Sequence, residues 1–263
     1  MPQAATATDQ AATGTDEAAA PTQTHAPARK LSALQEKFAA RLAGAKFRLL
    51  NESLYTSSGA EALKSLTPEQ FAVYHAGFAS QVTSKWPTNP VDYIIKRHLQ
   101  SAKPGLAVGD FGCGEARIAR QLGRKHRVHS FDLVGSDDGV VVACDIADVP
   151  LAAAVLDVAI FSLSLMGTNC GDFIAEAHRV LKPGGKLVIA EVKSRFAVNG
   201  KGFAEMRDGL EAFYASLAQL GFDLRVADVD SNTMFVVLEF AKSARTPVRG
   251  TKVTLKACEY KRR

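Results

Sequence analysis

The stretch Val108–Gly114, which reads Val-Gly-Asp-Phe-Gly-Cys-Gly, constrains the fold of this chain more than any other. It has the pattern of a buried strand that ends in an acidic residue and a glycine turn, and the helix-like run 115–124 follows it. A second short apolar run, 127–131, then ends at Asp132. A strand, a Gly-x-Gly turn, a helix and an acid at the tip of the next strand form half of a nucleotide-binding α/β unit.

The composition of this turn indicates the kind of nucleotide. Its glycines allow the backbone to approach a ligand closely, and the acid can accept hydrogen bonds from a ribose diol. The third glycine of the dinucleotide fingerprint is missing, because Glu115-Ala-Arg117 occupies that region, and a pyrophosphate would face Glu115. The pattern therefore favours S-adenosylmethionine, which has a ribose and an adenine but no phosphate. The alternative is an ordinary strand-to-helix turn.

Strand and helix patterns alternate along the second half of the chain. Apolar runs typical of strands are predicted over 106–111, 127–131, 140–143, 156–163, 186–192, 222–228 and 235–241. Helices are predicted over 172–181 and 203–220. This alternation predicts an α/β fold with a largely parallel, seven-stranded sheet and an antiparallel edge strand.

Helical patterns precede this α/β region. Apolar residues at helical spacing, which predict an amphipathic helix over 30–46, are Leu31, Leu34, Phe38, Leu42 and Ala45. Thr67 and Pro68 provide an N-cap and a first-turn proline for a helix over 67–81, and a further helix is predicted over 91–100. We therefore predict an N-terminal helical extension over residues 29–104 and an α/β core over 105–242.

The two ends of the chain differ in composition from the rest. Residues 1–28 are rich in Ala, Thr and Gln and contain no Lys or Arg, which predicts a disordered tail and not a signal or transit sequence. Residues 243–263 form a basic C-terminal segment in which Glu259 is the single acid. Such a segment suits contacts with phosphates, a nuclear import element or a merely soluble end.

Composition excludes several classes of protein. The chain has 263 residues, 47% of them hydrophobic, and a net charge of +5, which suits one full core and is compatible with an anionic partner. Its four cysteines show no Cys-x-x-Cys pairing and no histidines at metal spacing, so that neither a metal nor a disulfide framework is predicted. No apolar run approaches the roughly 20 residues that span a bilayer, so no membrane partner is predicted.

Further motifs, in their order along the chain, indicate a resemblance to one particular family. The more specific ones are Asn51-Glu-Ser-Leu-Tyr-Thr56, Tyr74-His-Ala-Gly-Phe78 and Ser162-Leu-Ser-Leu-Met-Gly-Thr-Asn169. They are accompanied by Arg179-Val-Leu-Lys-Pro-Gly-Gly185, Glu191-Val-Lys-Ser-Arg-Phe196 and Tyr260-Lys-Arg-Arg263. From about residue 44 to the C terminus, the chain resembles the nucleomethylin family of ribosomal RNA-processing methyltransferases.

The resemblance implies a Rossmann-like class I methyltransferase fold, with S-adenosylmethionine as cofactor. It implies methylation of N1 of an adenosine in large-subunit ribosomal RNA, during ribosome biogenesis in the nucleus and nucleolus. Chromatin or histone tails are further partners that it implies. Relatives usually carry a longer, lysine-rich N-terminal region, and the segment 197–209 is longer here than its counterpart.

Six residues are candidates for cofactor binding. Gly112 lies where the methionine portion should pass, and Asp132 is expected to accept hydrogen bonds from the ribose hydroxyls. Simple turn geometry and a surface helix cap are the alternatives for these two. In the class I enzymes that the chain resembles, the residue at the position of Asp145 accepts a hydrogen bond from the exocyclic amine of adenine, and the residue at the position of Ile146 packs on the ring. A turn residue is the alternative for Asp145.

The remaining two candidates are Ser162 and His75. Ser162 ends the fourth predicted strand and is expected to line the pocket; the alternative is a plain strand-end serine. The resemblance implies that His75 reaches the cofactor from the N-terminal segment; the alternative is a surface or core histidine. No catalytic residue is predicted, because the neutral N1 of adenine already presents a lone pair to the methyl group. Two other functions are compatible with this pattern: a small-molecule methyltransferase on the same fold, and a cofactor-binding chromatin adaptor that performs no chemistry.

Overall fold

The computed structural model describes residues 32–197 and 202–258. The predicted tail over residues 1–28, the motif Tyr260–Arg263 and part of the segment 197–209 lie outside the described residues. The described chain contains four helices before the first strand, a seven-stranded sheet with three further α-helices, and an irregular C-terminal segment.

The sheet has the strand order β3-β2-β1-β4-β5-β7-β6. Its strands are β1 (Ala107–Phe111), β2 (Arg127–Asp132), β3 (Val141–Ala143), β4 (Leu156–Ser162), β5 (Leu181–Val192), β6 (Phe222–Asp228) and β7 (Phe235–Lys242). The first five strands run parallel to one another, and β7 runs antiparallel to both β5 and β6. The prediction of a largely parallel, seven-stranded α/β sheet is confirmed.

The antiparallel strand does not form the edge itself. A short connection joins β6 to β7, and a short connection permits an antiparallel hairpin but not a parallel pair. Since β7 then inserts between β5 and β6, the strand at the edge is β6. The antiparallel direction of β7 was therefore predicted correctly, but β7 lies next to the edge strand and not at the edge itself.

Helices cover both faces of the sheet. On one face, α6 (Cys170–Val180) and α7 (Phe203–Gln219) bury residues such as Ile174 and Leu217 against the strands. On the other face, α5 (Arg117–Leu122) contributes Ile118 to a second core cluster. Apolar burial on both faces explains why the parallel strands are nearly continuous hydrophobic runs.

The N-terminal helices are α1 (Ala33–Thr56), α2 (Gly59–Ser65), α3 (Pro68–Lys85) and α4 (Pro90–Ile94), the last continued by a π-helical turn over Ile95–Leu99. As predicted, Thr67 caps α3 and Pro68 lies in its first turn. Helix α2 was not predicted. Its sequence signal is a capping box, in which Ser58 and Glu61 satisfy each other's backbone N–H groups.

The packing face of α1 differs from the apolar stripe in its sequence. The stripe residues Leu34, Phe38 and Leu42 are 63%, 58% and 59% exposed. The residues of α1 that are buried lie closer to its end, at Phe47, Asn51 and Leu54. The helical spacing therefore predicted the helix but not the side that packs.

Helix α3 lies across the carboxyl ends of β2 and β4. The ring of Phe47 stacks on Tyr74 with centroids 5.5 Å apart, and a side-chain carbon at Gly77 would lie only 2.6 Å from Phe47. The same cluster includes Leu133, directly after β2, and Met166, beyond β4. The helical extension thus forms a cover over the end of the sheet where parallel α/β folds bind ligands.

The C-terminal segment returns along the core to the extension. The backbone N–H of Lys256 donates to the carbonyl of Arg195 at 2.7 Å, and Nδ2 of Asn51 donates to the carbonyl of Cys258 at 3.0 Å. Val253 and Leu255 pack against the core. Residues 243–258 therefore join the end of β7 to α1.

The described part of the chain lacks two features. None of the helices in this part of the chain is long and apolar enough to cross a membrane. Within the same part, no three His, Cys, Asp or Glu side chains are grouped closely enough to hold a metal ion.

Candidate active site

A pocket of about 240 Å³ lies at the covered end of the sheet, between the helical extension and the carboxyl ends of β1 to β4. The structure brings all six predicted binding residues together in its wall: His75, Gly112, Asp132, Asp145, Ile146 and Ser162. They meet because each of the five residues from the sheet region follows or ends a parallel strand, while α3 brings His75 across those strands.

The turn after β1 requires glycine. Gly112 has a φ of +72°, and a side-chain carbon there would lie 2.4 Å from Cβ of Ser164. An L side chain would therefore be strained in this conformation and would also collide with the neighbouring loop. Because Gly112 has no side chain, the backbone directly after β1 is accessible from the pocket.

Asp132 fixes this turn through both of its carboxylate oxygens. Oδ2 accepts a hydrogen bond from the N–H of Gly114, and Oδ1 accepts one from the N–H of Leu133, each at 2.7 Å. Because a carboxylate has about four acceptor positions, two of them remain for a ligand. Nε2 of His75 lies 3.8 Å from Oδ2, so that α3 also reaches this carboxylate.

Asp110 also lines the pocket, although it was not among the predicted binding residues. It is only 3% exposed, and burial together with the nearby charge of Asp132 raises its pKa to about 7. An acid at the end of a fully buried strand was the available signal, because such a residue has few structural reasons to be there.

Asp145 and Ile146 form another wall of the pocket. Oδ1 of Asp145 accepts from the N–H of Ala147 at 2.9 Å, which fixes the orientation of the carboxylate. Ile146 is buried and belongs to the main core cluster. Gly59, at the start of α2, lies directly against Asp145 and was not predicted, because α2 itself was not.

The loop after β4 supplies the wall nearest Gly112. The hydroxyl oxygens of Ser162 and Ser164 are buried and have no hydrogen-bond partner within the described residues. Between them, Leu163 has a φ of +61°, which is an unfavourable conformation for a bulky residue. Unpaired hydroxyls and local strain in one loop are typical of a functional site.

A buried ion pair holds this strained loop. Oε1 of Glu191 accepts from the N–H of Leu165 at 3.2 Å, and Nη2 of Arg195 donates to the carbonyl of Leu165 at 2.7 Å. Glu191 and Arg195 are 2.7 Å apart and 1% exposed. Arg195 also lies over the ring of Tyr55 and donates to the carbonyl of Lys256. The Glu191–Arg195 pair thus connects the loop with α1 and the C-terminal segment.

The charges around the pocket are unequal. Asp110, Asp132 and Asp145 line it, whereas Arg117 is the one Lys or Arg side chain among its described lining residues. Arg117 is paired with Asp92 at 2.8 Å. The pocket therefore suits a ligand that has hydroxyl and cationic groups, and it does not suit a pyrophosphate.

The strand order and this acid-lined pocket define a Rossmann-like class I methyltransferase. Residues 33–263 match a family model described as "Hypothetical methyltransferase". The chain is 46% identical to Ribosomal RNA-processing protein 8 of Arabidopsis thaliana, over 90% of this chain and 79% of that protein. The chain belongs to this family of methyltransferases, as its resemblance to the nucleomethylin family predicted.

Two other relatives extend this comparison. The 25S rRNA (adenine(645)-N(1))-methyltransferase of Schizosaccharomyces pombe is 43% identical, with 89% of this chain and 74% of that protein aligned. Ribosomal RNA-processing protein 8 of Rattus norvegicus is also 43% identical over 89% of this chain, which spans 49% of the rat protein.

Proposed function

We propose that this chain transfers a methyl group from S-adenosylmethionine to N1 of an adenosine in large-subunit ribosomal RNA. The proposed substrate rests on the membership of this chain in a family whose Schizosaccharomyces pombe relative is named a 25S rRNA (adenine(645)-N(1))-methyltransferase. The cofactor is supported independently by the chemistry of the pocket.

The side chains in the pocket fit the parts of S-adenosylmethionine. The free acceptor positions of Asp132 suit the two ribose hydroxyls. Asp145 suits the exocyclic amine of adenine, and Ile146 its ring. The bare backbone at Gly112 leaves room for the methionine portion, and Asp110 suits its ammonium group.

Two further residues complete this proposed cofactor site. Ser162 offers a buried hydroxyl that has no partner in the described chain, so that a ligand can satisfy it. His75 lines the pocket beside Asp132 and, in this proposal, encloses the ribose from the side of α3.

The chemistry requires positioning more than proton transfer. When bound, S-adenosylmethionine supplies an electrophilic methyl group on a positively charged sulfur. The lone pair of adenine N1 forms the new bond to carbon while the carbon–sulfur pair stays with sulfur, so no side chain has to remove a proton. The protein contributes by aligning the two groups and excluding water. Because N1 lies on the Watson–Crick edge, the target base must be unpaired.

The proposal includes the setting of the reaction. Large-subunit ribosomal RNA is the proposed partner, the step belongs to ribosome biogenesis, and the nucleus and nucleolus are the proposed location. A cofactor-binding adaptor that contacts chromatin or histone tails is the competing function, and it differs from the enzyme in forming no methylated RNA.

Methylation of protein-free ribosomal RNA tests the proposal directly. We expect the purified protein and S-adenosylmethionine to convert an adenosine of deproteinised large-subunit RNA from a strain lacking the modification to N1-methyladenosine. Nuclease digestion followed by mass spectrometry against an N1-methyladenosine standard measures the product. An absence of new N1-methyladenosine, together with cofactor-dependent binding of histone tails, would favour the adaptor.

Asp110 predicts the pH dependence of cofactor binding. Since its folded pKa of about 7 lies above the ordinary value, the empty protein favours the neutral acid, whereas a cationic ligand favours the carboxylate. We therefore expect affinity for S-adenosylmethionine to rise as the pH increases through about 7 and then to level off. Calorimetric titrations across this range with wild type and Asp110→Asn measure the effect, because the ligand's own titration is common to both proteins.

The raised pKa of Asp110 also predicts how the stability of the protein without cofactor depends on pH, and this trend is opposite to that of cofactor affinity. The folded state binds the proton of Asp110 more tightly than the unfolded state does, so the contribution of Asp110 to stability is lost as the pH rises from about 4 to about 7. We expect Asp110→Asn to raise the free energy of unfolding at pH 8 relative to wild type while weakening cofactor binding. A pH profile of affinity that is the same in wild type and Asp110→Asn would contradict this role.

A further inference from the structure

The start of α2 lies against one wall of the proposed cofactor site. A side-chain carbon at Gly59 would lie 2.2 Å from Oδ1 of Asp145 and 2.7 Å from its Cγ. Gly59 is the first residue of α2, and its φ does not lie in the left-handed region that favours glycine. Since the backbone conformation does not require glycine here, the space that it leaves for Asp145 is what this position provides.

Asn169 holds the start of α2 in this place. It occupies the position before α6 where an Asn side chain commonly caps a helix, yet no capping bond from its side chain to α6 is present in the described chain. Its Oδ1 instead accepts from the N–H of Gly59 at 3.1 Å. The neighbouring N–H of Thr168 donates to the carbonyl of Ser57 at 3.0 Å.

A second glycine permits the same close approach from the other side. Gly167 has a φ of +109°, and a side-chain carbon there would lie 3.0 Å from the carbonyl oxygen of Ser57. The capping box of Ser58 and Glu61 fixes the backbone at the start of α2. Two hydrogen bonds and this close approach therefore join the segments 57–59 and 167–169 into one junction between the helical extension and the loop after β4.

We infer that Gly59 and Asn169 are positioning residues for the adenine end of S-adenosylmethionine, acting through Asp145. The inference rests on the proposed function, because it assumes that Asp145 contacts this cofactor. Oδ1 of Asp145 already accepts a hydrogen bond from the N–H of Ala147, and a carboxylate displaced from this position would lose that bond. The junction thus keeps the carboxylate in one orientation, and the extension becomes part of the cofactor site.

Replacing Gly59 with alanine tests this inference, because the backbone conformation permits alanine but its side chain fills the space beside Asp145. We expect Gly59→Ala to weaken the binding of S-adenosylmethionine roughly tenfold or more. Its KM for the cofactor should rise, while kcat at saturating cofactor stays within about twofold. Gly44→Ala is the matched control, because Gly44 lies in α1 and its side-chain carbon would meet only the flexible end of Arg48, at 3.5 Å.

Asn169→Ala provides a second variant if Gly59→Ala proves unstable. It removes the acceptor of the Gly59 N–H but no side-chain capping bond of α6, and we expect a rise of about three- to tenfold in the KM for the cofactor. The double variant should lose less than the product of the two single effects, because both act on one junction. Calorimetry, steady-state kinetics and circular dichroism on the full chain measure these quantities.

The outcomes separate this inference from the function on which it rests. If wild type binds S-adenosylmethionine and either folded variant binds it equally well, the inference is wrong and the proposed function stands. A higher KM for RNA with an unchanged KM for the cofactor would also overturn it. If wild type itself shows no binding of S-adenosylmethionine, the proposed function fails and this inference fails with it.

Discussion

Asp132→Ala is expected to weaken the binding of S-adenosylmethionine by about 1.5–3 kcal/mol, which is the range for hydrogen bonds to a charged group. Two effects combine in this variant. The ribose hydroxyls lose their proposed acceptor, and the N–H groups of Gly114 and Leu133 lose the carboxylate that now holds the turn. Calorimetric titration of the folded variant measures the change.

Asp138→Ala is a suitable control for this experiment. Asp138 also accepts hydrogen bonds within a turn close to the second strand, from Ser136 and Val140, but it is not among the residues that line the pocket. We expect it to leave cofactor affinity unchanged. If the folded Asp132→Ala variant bound the cofactor as tightly as Asp138→Ala does, Asp132 would not be the ribose acceptor.

Asp132→Ala should also alter the pH dependence of binding. Burial is the larger cause of the raised pKa of Asp110, and the charge of Asp132 is the second. Without that charge, the pKa of Asp110 should fall, and the pH above which affinity levels off should fall with it. A pH profile that remains in place would indicate that burial alone controls Asp110.

The sheet could be predicted from sequence because its parallel strands are short apolar runs with acids or glycines at their ends. β1 and β2 begin or end within one residue of the predicted bounds. The start of β5 was predicted less well, since pairing of Leu181 with Leu156 begins the strand before the Pro-Gly-Gly sequence. That pairing depends on a neighbouring strand and not on local sequence, so local patterns could not indicate it.

The predicted site residues come together because parallel strands present their carboxyl ends at one edge of the sheet. Each of the residues from Gly112 to Ser162 could therefore be placed by its position in a strand pattern. The role of Gly59 could not, because it depends on a contact with Asp145, which lies far along the chain. The sequence of α1 likewise indicated a helix but gave no information on which side would meet α3.

The Glu191–Arg195 pair was part of a motif recognised in the sequence, yet its structural role could not be inferred there. The pair acts on Leu165, which lies 26 residues before Glu191 and 30 before Arg195. Burial of Arg195 acts to lower its pKa, but the charge of Glu191 opposes this and the net pKa is raised. Arg195 therefore remains charged inside the protein, where breaking a buried ion pair by removing one partner is costly.

Arg195→Ala is accordingly expected to lower the free energy of unfolding by about 3–5 kcal/mol, because it leaves Glu191 as an unpaired buried charge. The carbonyls of Leu165 and Lys256 would lose a donor in the same variant. Urea unfolding followed by circular dichroism measures the change.

Replacing both members of the pair separates the cost of an unpaired buried charge from the cost of altered side-chain packing. The double variant Arg195→Leu with Glu191→Leu contains no buried charge, so we expect it to be more stable than Arg195→Ala. Arg120→Ala is the surface control, because the ion pair of Arg120 with Asp138 is solvent-exposed and should contribute little. If Arg195→Ala were as stable as Arg120→Ala, the buried pair would not be what holds the loop. If the double variant regained stability but methylated RNA poorly, the loop would need the pair for its alignment and not only for its stability.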